Sequence, residues 1–335
     1  MANVSAGHFH SLLLTDTGTV YFWGDIRNGD SITPPTMYER LPPIQSISAG
    51  ENTSLFLDLE GNVWGEGASD HGQLCQNKHL FWGPKQLPLP KKIIAVEAGF
   101  CAHSFFIEEG GTLWSCGYNF NHCLGINTTT TSGHKYENLP KIKQVSTYYS
   151  HSLLLTEEGE VLSCGNGALG RHPTLEHPAS SFNKIDFPVP IISISAGRNH
   201  SLFLDVNHRV WSCENKLPQQ ITTLPPIKII SAGNHSSTFL DVDGCVWMSG
   251  IIGNTPQDAD LRQLEEPRDV VSISCRSHLL MLDRNGDLWV AGQNSNGQLG
   301  LNDLIARQFP VKNNNSGIQP FSGKFHKTKS AKIRS

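Results

Sequence analysis

The chain has 335 residues, with 26 Lys and Arg against 30 Asp and Glu and a formal net charge of −4. An apolar content of 38% is enough for a core at this length, which excludes wholesale disorder, and no apolar run approaches a membrane-spanning helix. The mild acidity counts against a protein that coats nucleic acid, and the start Met1-Ala2-Asn3-Val4-Ser5 lacks the basic and apolar pattern of a secretion signal, so the expected compartment is cytoplasm or nucleus and the eight cysteines are expected as free thiols.

One phrase recurs along the chain. It starts as Ser5-Ala6-Gly7-His8-Phe9-His10-Ser11-Leu12-Leu13-Leu14, turns, and continues as Val20-Tyr21-Phe22-Trp23-Gly24. A first column holds His10, Thr53, His103, His151, His200, Ser236 and His278; a second holds Tyr21, Trp64, Trp114, Leu162, Trp211, Trp247 and Trp289. The two columns stand 11 residues apart in every copy, whereas the copies follow one another at 43, 50, 48, 49, 36 and 42 residues. A fixed spacing inside a variable one describes a rigid unit joined by adjustable connections.

Each unit predicts a β-hairpin. Apolar runs such as Leu55-Phe56-Leu57 lead into turns with Gly at 18, 61, 111, 159, 244 and 286, where a positive φ is easy. His208 takes that place in the fifth copy and predicts a strained turn there. Connections such as Leu41-Pro42-Pro43-Ile44 lead into further short Ile-rich strands, with proline where no ladder N–H is needed. No helical period of useful length occurs. Four short strands in about 45 residues make one propeller blade, and radial closure protects the sheet edges. The predicted fold is all-β: a seven-bladed β-propeller of four-stranded antiparallel blades over residues 1–315, followed by a basic polar tail, 316–335, with Lys324, Lys327, Lys329, Lys332 and Arg334. The extra segment Arg307-Gln308-Phe309-Pro310-Val311 is expected to pair with the first blade and close the ring.

The phrases Ala-Gly-x-x-His-Ser, Gly-x-Val-Trp-x-x-Gly and Asn294-Ser295-Asn296-Gly297-Gln298-Leu299-Gly300 resemble the repeats of the regulator of chromosome condensation family, over about residues 1–312. Weaker copies of the last element are Asp70-His71-Gly72-Gln73-Leu74-Cys75, Asn121-His122-Cys123-Leu124-Gly125 and Asn166-Gly167-Ala168-Leu169-Gly170; the first, fifth and sixth repeats lack it. The resemblance implies a seven-bladed propeller that binds proteins, and for the exchange-factor members a loop ring that faces a small GTPase with acidic and histidine residues. Repeat symmetry puts the positions just before the first column around one end of the ring. The candidate partner-binding residues there are His8, Glu51, Asn52, Tyr149, Arg198, Asn199, His235 and Arg276. The expected function is regulation of a Ran-like small GTPase by a monomer; alternatives are a non-catalytic recruiter, as in the propellers of large ubiquitin ligases, and chromatin binding.

Other motifs point to structure rather than chemistry. Gly165-Asn166-Gly167-Ala168-Leu169-Gly170 fits a dinucleotide fingerprint, but Arg171-His172-Pro173 offers no helix N-terminus for a pyrophosphate, and the match follows from the repeat. The column histidines are expected to bond loop backbone and pack blade on blade, and the Trp column to be inter-blade core. Cys116, Cys164 and Cys213 share a column and are expected to be small buried groups, with disulfides improbable. No cofactor, metal or catalytic residue is expected.

Overall fold

The computed structural model describes residues 2–25, 34–76, 80–90, 92–170, 179–214, 216–252 and 260–314. They form seven four-stranded antiparallel sheets, each made of four consecutive strands. The first blade is β1 (Asn3–Ala6), β2 (His10–Leu14), β3 (Val20–Gly24) and β4 (Thr36–Met37). The second runs from β5 (Ile44–Ala49) to β8 (Leu80–Gln86), the third from β9 (Ile93–Ala98) to β12 (Thr130–Lys135), and the fourth from β13 (Ile142–Thr147) to β16 (Ala179–Ile185). The fifth comprises β17 (Ile191–Ala196), β18 (Ser201–Asp205), β19 (Val210–Cys213) and β20 (Gln219–Gln220). The sixth runs from β21 (Ile227–Ala232) to β24 (Arg262–Gln263), and the seventh comprises β25 (Val270–Cys275), β26 (His278–Asp283), β27 (Leu288–Gly292) and β28 (Arg307–Lys312). The single helical element among the described residues is a 3-10 turn at Phe120–His122.

Residue pattern explains each strand's place. The second strand of a blade lies between two neighbouring sheets, so both its faces are covered and it reads as a continuous apolar run; β2, β18 and β26 are buried throughout. Two kinds of loop, those joining first to second strands and those joining third to fourth, open on one face of the ring, here the loop face. The Gly-containing hairpins open on the opposite, turn face. His208 adopts φ +61° in its turn and its Nδ1 lies 2.9 Å from the Ile227 carbonyl, as the break in the glycine column predicts.

On the turn face an acidic residue ends the second strand and receives the indole N–H of the Trp column. Asp58 takes it from Trp64 at 3.0 Å, Asp205 from Trp211 at 3.0 Å, Asp241 from Trp247 at 2.9 Å and Asp283 from Trp289 at 3.1 Å; Glu108 and Trp114 do the same at 3.1 Å. The indole bodies pack on the inter-blade clusters, Trp64 against residues of the first blade and Trp247 against those of the fifth.

Two hydrogen-bond systems join blade to blade. Around the axis, a serine of six of the seven inner strands accepts the next blade's backbone N–H: Ser5 from Ala49, Ser48 from Ala98, Ser146 from Ala196, Ser195 from Ala232, Ser231 from Cys275 and Ser274 from Ala6, all at 2.9–3.0 Å. In the third blade Glu97 holds this place, with its carboxylate 3.4 Å from the Thr147 N–H. Further out, each column imidazole meets a hydroxyl of the following blade: His10 with Ser54, His103 with Thr147, His151 with Ser201, His200 with Ser237 and His278 with Ser11, at 2.6–2.9 Å. The expected backbone partner occurs only for His103, whose Nδ1 also lies 3.1 Å from the Cys101 carbonyl. Ser11 donates to the Gln298 carbonyl at 2.7 Å, so His278 Nε2 must carry the proton that Ser11 accepts, and its buried, unpartnered Nδ1 is a bare lone pair. A glycine lies beneath such rings because nothing larger fits: a Cβ on Gly7 would come within 2.8 Å of His10 Cε1.

Two expectations are corrected. Arg307–Lys312 is a strand, but it pairs with β27 of its own blade, not with the first blade. Ala2 to Ala6 already supplies the first blade's inner strand, so the ring closes by packing of β1 on the seventh blade and by the bonds Ala6–Ser274, Asn3–Ser272 and His278–Ser11. Cys75 and Cys116 are joined as a disulfide, with Cα atoms 5.4 Å apart. Cys75 replaces the final glycine of a repeat loop, and that position abuts the column cysteine of the next blade. The tail, 316–335, lies outside the described residues.

Candidate functional site

The loop face carries a cap over the axis. Arg276 of the seventh blade turns across the ring, and its guanidinium lies 4.5 Å from the centre of the Tyr148 ring of the fourth blade, within cation–π range. Its Nη1 meets the Thr147 carbonyl at 3.5 Å and its Nη2 stands 4.0 Å from Glu97 Oε1. Phe100 stacks on Tyr148 at 5.3 Å, and His8 of the first blade sits edge-on to Phe100 at 4.7 Å. Beneath the cap is an axial cavity of about 360 Å³, lined by the inner strands and by Glu97.

The eight candidate residues divide into groups. His8 and Arg276 belong to the cap. Tyr149 touches Phe100 at 5.5 Å and Phe120 at 5.6 Å, with the Arg198 guanidinium 5.8 Å above its ring. Arg198 also bonds Asn234 Oδ1 at 3.4 Å. Asn199 and His235 are exposed and line a cleft between the fifth and sixth blades. Glu51 and Asn52 lie on a separate, smaller hollow between the second and third blades, of about 180 Å³. The structure thus gathers His8, Tyr149, Arg198 and Arg276 near the axis and leaves the other four around the rim.

Electrostatics follow from this placement. Burial, then the charges of Arg276 and Arg198, lowers the pKa of His8 to about 4, so the imidazole is neutral. Glu51 is pushed up by burial. Glu97 is pushed up to about 7 by burial, against the pull of Arg276, the Thr147 N–H and the Ser48 hydroxyl. The cap offers aromatic faces, guanidinium groups and amides, which suit recognition of a protein surface. No three His, Cys, Asp or Glu side chains come together as metal ligands among the described residues.

Phe100, Tyr148 and Glu97 were not among the candidates. Glu97 had a signal: it is the one departure from serine in the column Ser5, Ser48, Glu97, Ser146, Ser195, Ser231 and Ser274. Tyr148 replaces the glycine that follows the inner strand in most blades. Phe100 sits in a loop one residue longer than most, since Ala98 pairs with Ser104 whereas Ala6 pairs with Ser11.

This class of ring, with histidine–serine joints and a loop of the form Asn-x-x-Gly-Gln-Leu-Gly, is a repeat propeller. A family model described as Regulator of chromosome condensation (RCC1) repeat matches residues 2–30, 142–171 and 191–213. Three segments of the chain thus match the regulator of chromosome condensation repeat, within a ring of seven four-stranded blades. It is 27% identical over 248 residues to mouse "Secretion-regulating guanine nucleotide exchange factor", covering 70% of this chain and 48% of that protein. It is 24% identical over 206 residues to human "Regulator of chromosome condensation", covering 51% and 49%. The chain spans about half the length of these two curated relatives. In the structure of yeast RCC1 (Prp20) bound to Kap60, the propeller matches with a TM-score of 0.77 at 20% identity, over 92% of this chain and 86% of that one, a likeness of fold.

Proposed function

We propose that the protein is an interaction propeller whose loop face engages a Ran-like small GTPase and promotes release of its nucleotide, in the cytoplasm or nucleus. The observation that carries this reading is the convergence of loops from five blades on one face, where Tyr149, Arg198 and the cap form a rigid aromatic and cationic surface. Two relatives named for chromosome condensation and for nucleotide exchange support the GTPase as partner. A rigid ring with an exposed loop face suits docking on a switch region, and the neutral His8 leaves the guanidinium of Arg276 as a positive charge of the cap.

The test is release of a fluorescent GDP from purified Ran-like GTPase. The expected result is acceleration by catalytic amounts of the protein and at least a tenfold loss with Arg198→Glu, an exposed charge whose reversal changes association more than fold. No acceleration at high micromolar protein overturns the exchange activity. A recruiter without exchange activity would then remain, and it is favoured by the presence of a single acidic residue, Glu51, among the candidates.

A further inference from the structure

The other joints show what fills the space between two blades on the loop face. In the seventh blade, residues 293–306 separate β27 from β28, and their repeat loop reaches over to the first blade. The Gln298 carbonyl accepts from Ser11 Oγ at 2.7 Å and from Trp23 Nε1 at 2.8 Å, and Leu299 is fully buried among Leu13, Tyr21 and Trp23. The fourth blade repeats this: the Ala168 carbonyl accepts from Ser201 Oγ at 2.8 Å and Ala168 packs with Phe203. In the third, the Cys123 carbonyl accepts from Ser152 Oγ at 2.7 Å, and Leu124 is buried against Leu154. Each of these three joints therefore takes one loop carbonyl on a serine hydroxyl and one apolar side chain between the sheets.

The fifth blade has no such loop. Only residues 214–218 separate β19 from β20, which is why the fifth repeat interval is 36 residues. A cleft of about 920 Å³ lies between the fifth and sixth blades and runs on to Ser150, Asn166 and Gly167 of the fourth, against about 180 Å³ at the joint of the second and third, where a repeat loop is present. Its walls keep the receptor chemistry of the filled joints. Ser237 occupies the place of Ser11 and Ser201, lies 2.9 Å from His200 Nε2, and meets no loop carbonyl among the described residues. Ile221 is the partly exposed apolar side chain of the cleft's floor, with Leu202 and Phe239 buried behind it, and Asn199 and His235 form a polar rim.

We propose that this cleft is a peptide-binding site that takes an exposed turn of a partner protein, with a backbone carbonyl on Ser237 and an aliphatic side chain against Ile221. The occupant replaces the loop that the fifth blade lacks, so its chemistry is that of Gly-Gln-Leu-Gly: a compact turn with a leucine-like side chain and no charge at the buried end. The site adjoins the loop face but rests on the protein-binding reading only in that its ligand is a polypeptide. Its failure would leave the nucleotide-release test untouched, and the reverse.

The probe is an acetylated, amidated peptide copying residues 294–300, added to the full-length protein and followed by two-dimensional amide NMR. Saturable shifts confined to the cleft, around Asn199, Ser237 and Gly250, are expected. The same peptide with alanine for leucine should bind at least about tenfold more weakly, because it loses three buried carbons. Two protein variants must also lose binding: Ser237→Ala by about tenfold, and a chimera carrying residues 294–300 between Glu214 and Leu217 completely, with a higher melting temperature. No saturable shift up to several millimolar peptide, shifts elsewhere on the ring, or unchanged binding to Ser237→Ala overturns the proposal.

Discussion

Ser11 and Ser104 stand at equivalent places in two blades, yet only one has work for its hydroxyl. Ser11 accepts from His278 and donates to Gln298, whereas the buried Ser104 Oγ has no partner. The reason lies one blade back: the second blade has Thr53 where five others place histidine, and Thr53 turns to the Ala68 carbonyl of its own blade at 3.1 Å. Removing a doubly bonded buried hydroxyl leaves a donor and an acceptor unpaired, at about 1–3 kcal/mol, whereas removing an unpaired one costs little. Urea unfolding should therefore show Ser11→Ala destabilised by about 2 kcal/mol and Ser104→Ala near wild type; equal losses would refute the joint chemistry. The rule was partly legible in the sequence. The histidine column pointed to packing between blades, but its hydroxyl partner belongs to the next repeat, so no spacing within one repeat could reveal it. The acidic column was fully legible: Asp58, Glu108, Asp205, Asp241 and Asp283 each precede a Trp by six residues, and the two blades with Tyr21 and Leu162 carry Thr15 and Thr156 there instead.

The blade is the element that the sequence specifies best, because a hairpin is local and its turn glycines and apolar runs lie within 20 residues of one another. Contacts between elements were harder to see. Cys75 and Cys116 sit 41 residues apart and meet only because a loop of one blade lies on a strand of the next. Closing a chain segment of that length limits the unfolded ensemble and contributes up to about 4 kcal/mol by the chain-entropy account. A non-reducing digest should yield the linked Cys75–Cys116 peptides, and Cys75→Ser should lower the urea midpoint. A digest with both thiols free would remove the link. The gap beside the fifth blade belongs to this scale too: the short interval was plain in the sequence, but not that the walls facing it keep the chemistry of a filled joint.

Across the whole molecule the joints impose one dependence on acidity. His10, His103, His151 and His200 are held at a pKa of about 4 and His278 at about 3, in each case chiefly by burial, against about 6.5 in an unfolded chain. The fold holds them neutral, so stability is fully present above pH 6.5 and is lost as pH falls from 6.5 towards 4, at about 1.4 kcal/mol per pH unit for each histidine. Glu97 acts with the opposite sign: its pKa is raised to about 7, so its contribution is lost as pH rises from 4.5 to 7, but it is one group against five. The melting temperature should hold between pH 7 and 8 and drop steeply below 6.5; a flat profile to pH 5 would contradict neutral joints.

The serine girdle around the axis passes from blade to blade in a single sense, and the link from Ser274 to Ala6 is made like its neighbours. No sector is first or last in such a circle. The first and seventh blades meet at a seam of ordinary strength, so a fault at any one of the seven junctions opens the toroid as surely as a fault at this one.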